Sequence, residues 1–181
     1  MARQRKLNIE ELNRISIAEF KEAKKTPLVV VLDSVRSLNN IGSIFRTADA
    51  FLVEEVILCG ITATPPHAEI HKTALGAENS VQWRYFPETV SAIHHLKAEG
   101  YTVFAIEQTE NSSLLGNISL DKQKKYAIVF GNEVHGVQQT VIDASDGCIE
   151  IPQYGTKHSL NVAVTAGIVM WEFFILLPHI T

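Results

Sequence analysis

The chain has 181 residues, 46% of them hydrophobic and 20% charged, which suits one domain with a short appendage and excludes disorder along its whole length. Its formal net charge of −4 argues at first against a nucleic-acid partner. The charge is uneven, however. Residues 1–25 carry seven Lys/Arg (Arg3, Arg5, Lys6, Arg14, Lys21, Lys24, Lys25) against four Glu, a net of +3, and the remainder nets −7.

A basic arm on an acidic body can hold a phosphate backbone, because binding follows local potential. A solvated amphipathic helix is the plainer reading of the same residues. Pro27 disfavours helix at Thr26, so a short basic helical extension is expected over 1–25 and one domain over 26–181. No apolar run follows the basic N-terminus, so no signal peptide is expected. The most apolar stretch, Ile168 to Leu177, is interrupted by Glu172 and falls far short of the ~20 residues that span a bilayer. Cys59 and Cys148 sit in apolar runs without a CxxC neighbour, which points to reduced core thiols in a soluble, cytoplasmic protein.

From residue 28 onward, β-branched runs predict strands at Leu28–Leu32, Glu55–Cys59, Val81–Phe86, Tyr101–Ile106, Tyr126–Phe130 and Cys148–Ile151. Helical spacing lies between most of them. Ile41, Ile44, Phe45, Ala48, Phe51 and Leu52 share one stripe, and Glu88–Glu99 runs from Pro87 to Gly100. A longer loop is expected at Thr109–Asp121. Apolar strands alternating with helices predict an α/β fold, a mainly parallel sheet with helices on both faces. Such sheets bind ligands at the carboxyl ends of their strands, and here polar clusters follow the first, fifth and sixth runs. The last helix, Ser159 to Leu177, is apolar nearly all round, which suits a subunit interface or a central helix wrapped by its own domain.

Several familiar motifs are missing. No GxGxxG follows the first strand. Gly131 and Gly136 have P-loop spacing, but Val137-Gln138 stand where Lys-Ser/Thr is required. His67 and His71 could share a helix face as metal ligands do, yet lack a third ligand and the HExxH glutamate, so no metal is expected. His94-His95 reads as surface. Ser159, His158 and Asp146 have no GxSxG elbow to make a hydrolase triad.

Three polar clusters remain, each with a structural alternative. Asn39 and Asn40 stand where a helix begins and could simply cap it, while Arg46, one turn beyond Gly42, could reach a phosphate or carboxylate bidentately. A buried strand ends at Gly131, where backbone can approach a ligand closely, and Glu133 follows in a polar loop where carboxylates are usually solvated. After Ile151-Pro152, Ser159 and Asn161 mark the start of the apolar helix, as caps or as partners for a purine edge or ribose.

Together, the blocks Asn40-x-Gly42-x-x-x-Arg46-Thr47-Ala48, Phe130-Gly131-x-Glu133-x-x-Gly136 and Ile151-Pro152…Ser159-Leu160-Asn161-Val162-x-Val164 resemble the SpoU (TrmH-like) branch of the SPOUT methyltransferases, over Leu28 to Leu177. The resemblance implies a deep C-terminal trefoil knot, a homodimer with active sites at the interface, and transfer of a methyl group from S-adenosyl-L-methionine (AdoMet) to a ribose 2′-hydroxyl of tRNA or rRNA. Carried over by position, AdoMet lies against backbone at Gly131, Ile151 and Leu160. Asn40, Arg46, Glu133, Ser159 and Asn161 form the catalytic and substrate-contacting set, with Glu133 anchoring Arg46 or Asn161. Arg46 is expected either to activate the hydroxyl or to stabilise the developing alkoxide; a guanidinium scarcely deprotonates in a protein. A silent RNA-binding relative and a base-methylating one are the competing readings.

Overall fold

The computed structural model describes residues 4–8 and 10–178. Arg3 of the basic extension lies outside them. Within the extension, a 3-10 turn at Glu10–Leu12 precedes a six-residue helix α1 (Ile17–Glu22), less helix than the charge pattern suggests. A capping box starts α1, with Ser16 and Glu19 satisfying each other's backbone N–H, and buried Phe20 fixes the helix to the domain.

The chain then alternates: β1 (Thr26–Asp33), α2 (Leu38–Ala50), β2 (Val53–Cys59), α3 (Ala68–Ala74), α4 (Ala77–Ser80), β3 (Gln82–Phe86), α5 (Thr89–Ala98) and β4 (Tyr101–Ile106). It continues through β5 (Ser113–Leu114), β6 (Lys125–Phe130), α6 (Gln139–Ala144) and β7 (Gly147–Glu150) to α7 (Val162–Leu176). The strands form one seven-stranded sheet in the order β3-β2-β1-β6-β4-β7-β5, and every pairing is parallel. The expected sheet is present, with one addition: β5 lies inside the presumed loop and pairs with β7.

Period-two alternation along β1 builds two cores from one strand. Leu28, Val30 and Leu32 face a core shared with Ile41, Ile44 and Phe45 of α2 and Val169, Met170 and Phe173 of α7. Val29 and Val31 face the opposite core, with Ala92, Ile93 and Leu96 of α5 and Val141 of α6. Cys59 belongs to the second core, and burial pushes its thiol up to about 12, so it is an inert packing residue. Cys148 is half-buried.

Two features position the site. β7 lies outboard of β4, yet α7, which follows it, returns across the sheet to pack on α2. The segment 151–161 therefore crosses the carboxyl ends of the central strands. α7 begins at Val162, three residues later than expected, because Asn161 and not Ser159 is its cap.

Candidate functional site

The loop after β6 is held rigidly. Asn132 N donates to Gly136 O at 3.0 Å, and Gly136 N returns a bond to Asn132 O at 2.9 Å. The Asn132 side chain accepts from Val134 N and His135 N and donates to Ser34 O at 2.8 Å, tying the loop to the end of β1. Gly131 is required by packing: a Cβ there would lie 2.1 Å from Gly136 C and 2.2 Å from Val137 N. Gly136 adopts φ +66°, and a Cβ on it would strike the Glu107 carboxylate.

Glu133 projects from this loop onto the start of α2. Its carboxylate accepts from Arg36 N (2.9 Å), Ser37 N (2.9 Å) and Asn40 Nδ2 (3.0 Å). Partial burial pushes this carboxyl up, but those three donors outweigh it and hold it below the ordinary glutamate range. Asn40 is oriented by Glu133, not used as a cap; the cap of α2 is Ser37, whose hydroxyl accepts from Asn40 N. The other end of the Asn40 amide, Oδ1, accepts from Asn161 Nδ2 at 3.2 Å. Asn161 Oδ1 meanwhile accepts from Ala163 N and Val164 N at the start of α7. A single relay, Glu133–Asn40–Asn161–α7, thus joins three segments more than 90 residues apart in pairs at its first two links.

Beside the relay is a cavity of about 640 Å³ at the carboxyl ends of β4, β6 and β7, lined among others by Gly131, Glu133, Ile151, Ser159, Leu160 and Asn161. That volume is ordinary for a small-molecule site. Glu107, at the end of β4, also lines it. It accepts from Val137 N at 3.0 Å and Gln108 N at 2.9 Å, so it supports the Gly131–Gly136 loop from beneath. Sequence reading passed over Glu107, although a carboxylate directly after an apolar strand is the same signal that marked Glu133. Gln108 Nε2 donates to His158 O at 2.9 Å and closes the cavity's far side.

Arg46 stands apart. It is exposed on α2 and does not line the cavity. Of the two partners expected for Glu133, Arg46 or Asn161, it is Asn161 that it reaches, through Asn40. The side of α7 that faces away from the core carries Val164, Ile168, Trp171 and Ile175, at spacings of four, three and four, 40–53% exposed. Trp171 and Phe174 pack on Phe51 just beyond the end of α2, with ring centroids 5.7 and 5.2 Å away. Among the described residues, no group of three His, Cys, Asp or Glu could hold a metal, and no helix is long and apolar enough to cross a membrane.

A parallel sheet with a nucleoside-sized cavity at its carboxyl edge, closed by a strap leading into the last helix, defines a small-ligand-binding α/β protein without a dinucleotide or P-loop turn. More narrowly, the chain belongs to the SpoU rRNA Methylase family, whose model matches residues 27–171. It is 32% identical over 162 residues to a tRNA (guanosine(18)-2′-O)-methyltransferase of Thermus thermophilus, covering 90% of this chain and 81% of that protein. A crystal structure of a TrmH/SpoU tRNA modifying enzyme from A. aeolicus superposes with a TM-score of 0.77 at 25% identity, covering 88% and 81% of the two chains. An AdoMet-bound rRNA methyltransferase from Sinorhizobium meliloti gives 0.75 at 29% identity over 85% of this chain, which spans 59% of that one.

Proposed function

We propose that this protein is an AdoMet-dependent RNA methyltransferase that modifies a ribose 2′-hydroxyl of tRNA or rRNA, working as a cytoplasmic homodimer. The observation that carries the proposal is the Glu133–Asn40–Asn161 relay: the three sequence blocks converge on one cavity edge.

The cavity fits AdoMet. Gly131 presents backbone that no side chain shields, while Ile151 and Leu160 add apolar wall for an adenine ring. The strap 151–161 that crosses the strand ends supports the trefoil knot of this family. Bound AdoMet supplies the methyl group as an electrophilic sulfonium carbon.

The chain's own residues do the rest. The relay fixes the Asn40 and Asn161 amides before substrate arrives, so positioning costs little entropy at the moment of reaction. Ser159, exposed on the cavity's lip, is placed to hydrogen-bond the ribose. Glu133 is a poor base, because three donors already stabilise its anion. Arg46 acts electrostatically, stabilising the developing alkoxide and orienting the adjacent phosphate while the hydroxyl proton passes to solvent.

A guanidinium outside its own cavity needs delivery to a site, and dimerisation supplies it. The stripe Val164–Ile168–Trp171–Ile175 is the surface to be buried, and α2, which carries Arg46, packs directly against α7. We assign Arg46 to the partner subunit's active site. The basic extension adds phosphate contacts.

The experiment is transfer of labelled methyl from AdoMet to total RNA, followed by nuclease digestion and mass spectrometry. The expected product is a 2′-O-methylnucleoside. A methyl group on a base would replace this reading with base methylation, and AdoMet binding without transfer would replace it with a silent relative.

A further inference from the structure

The wall of the cavity is acidic. Glu107, Glu133 and Glu150 line it and no Lys or Arg does, so a polyanion brought to its mouth is repelled by the lining itself. Cations for a phosphate backbone must come from the surrounding loops. Six loops leave the carboxyl ends of β1, β2, β3, β4, β6 and β7, at 34–37, 60–67, 87–88, 107–112, 131–138 and 151–161. Between them they hold two Lys/Arg, Arg36 and Lys157. Lys24 and Lys25 of the basic extension lead into β1 at the opposite, amino edge.

The two cations belong to different walls. Arg36 stands on the side that carries Glu133: its N–H donates to Glu133 Oε2 at 2.9 Å, and Val35 N beside it donates to Thr62 Oγ1 at 2.9 Å. The backbone is thus fixed while the Arg36 side chain is exposed. Lys157 stands on the strap at the far side, next to His158, whose carbonyl accepts from Gln108 Nε2. It too is exposed, and among the described residues neither cation is paired with a carboxylate. Tyr154, three residues before Lys157, is 95% exposed. A bare aromatic ring beside an unpaired cation is the combination that holds single-stranded nucleic acid, ring against base and cation against phosphate.

We propose that the substrate RNA crosses the mouth of this cavity as a single strand, its backbone held by Arg36 on one side of the target nucleotide and by Lys157 on the other, with Tyr154 stacking on a neighbouring base. The choice of RNA rests on the activity proposed above. The planar fork of Arg36 takes a phosphate bidentately, whereas Lys157 acts as a point charge.

The test is binding of a fluorescein-labelled oligouridylate to the full chain, read by anisotropy across a salt series with S-adenosylhomocysteine bound. Each phosphate contact to a single strand adds about 0.7 to the slope of log affinity against log salt. Arg36→Ala and Lys157→Ala should each lower that slope by about 0.7 and the double variant by about 1.4, while Arg36→Lys keeps it. Tyr154→Leu should weaken binding about fivefold or more at unchanged slope, because stacking releases no counterion. Lys122→Ala, which removes an equal exposed charge from the turn before β6, should change neither. Affinity for S-adenosylhomocysteine is the folding check and should hold throughout, since the Glu133 lock uses only the Arg36 backbone. A variant that loses it is replaced by Arg36→Gln or Lys157→Gln, with the same expectation. A wild-type slope in the double variant, or an equal fall in Lys122→Ala, overturns the proposal and leaves the RNA-directed activity standing. A chain that binds no RNA overturns both.

Discussion

The two sides of α2 differ sharply. Its N-terminal end is locked: Asn40 is gripped by Glu133 and by Asn161, and Gly42 is pressed so closely by Thr73 and Ile70 that a Cβ would lie 2.1 Å from the Thr73 hydroxyl. A turn later, Arg46 is exposed, on a helix that packs against α7, whose outward apolar stripe is itself half-exposed. The chain thus builds a pocket that is rigid before binding and leaves open the cation that we propose acts in a partner's site. Preorganised amides and a movable guanidinium call for different kinds of perturbation.

The largest effect is expected on the open side. Arg46→Ala should lower kcat about 10²–10³-fold, as removal of one electrostatic stabiliser does elsewhere. AdoMet affinity, read by calorimetry, should stay unchanged, because Arg46 lies outside its own cavity and its proposed role in the partner's site is toward the RNA ribose and phosphate. Mixing Arg46→Ala with Asn161→Ala subunits should restore about a quarter of wild-type activity, since random pairing in a two-fold dimer leaves one competent site in half the dimers. No recovery on mixing places Arg46 in its own subunit's site and erases the contrast. On the locked side, Gly131→Ala should act on binding and stability together. Its methyl group meets backbone at Gly136 and Val137, which cannot step aside as a side chain would. An overpacking cost of about 1–3 kcal/mol in urea unfolding is expected, with weaker AdoMet binding.

The same contrast explains what the sequence disclosed. The six long strands and α2 were legible because their apolar residues repeat at a fixed period. α3 and α4, of seven and four residues, are too short for a period to show, and β5 is two residues whose only signature is a partner, β7. Asn161 offered two readings, cap or site; the cap is present, with Oδ1 accepting at the start of α7, and it leaves Nδ2 free to donate to Asn40. For Glu133 the block was visible but its partners were not, because Arg36, Ser37 and Asn40 come within reach only through the β1–β6 pairing. Glu78 looks like any helix-surface acid until α3 and β3 close over it.

The smallest effect expected is the pH dependence of the lock itself. Glu133 is held below the ordinary glutamate range when folded, so the unfolded chain takes up its proton first as pH falls. Its contribution is therefore complete above the unfolded value, roughly 4.3, and is lost as pH drops through the lower folded value. Glu133→Gln removes that titration and leaves one backbone N–H for water to satisfy. The stability difference between wild type and Glu133→Gln, from urea unfolding, should be constant near neutrality and shrink on acidification below about pH 4. The change should be slight, because this exposed carboxylate is well screened by solvent. A difference that persists or grows in acid means that the three donors do not favour the anion, and that the lock rests on packing of the Gly131–Gly136 loop instead.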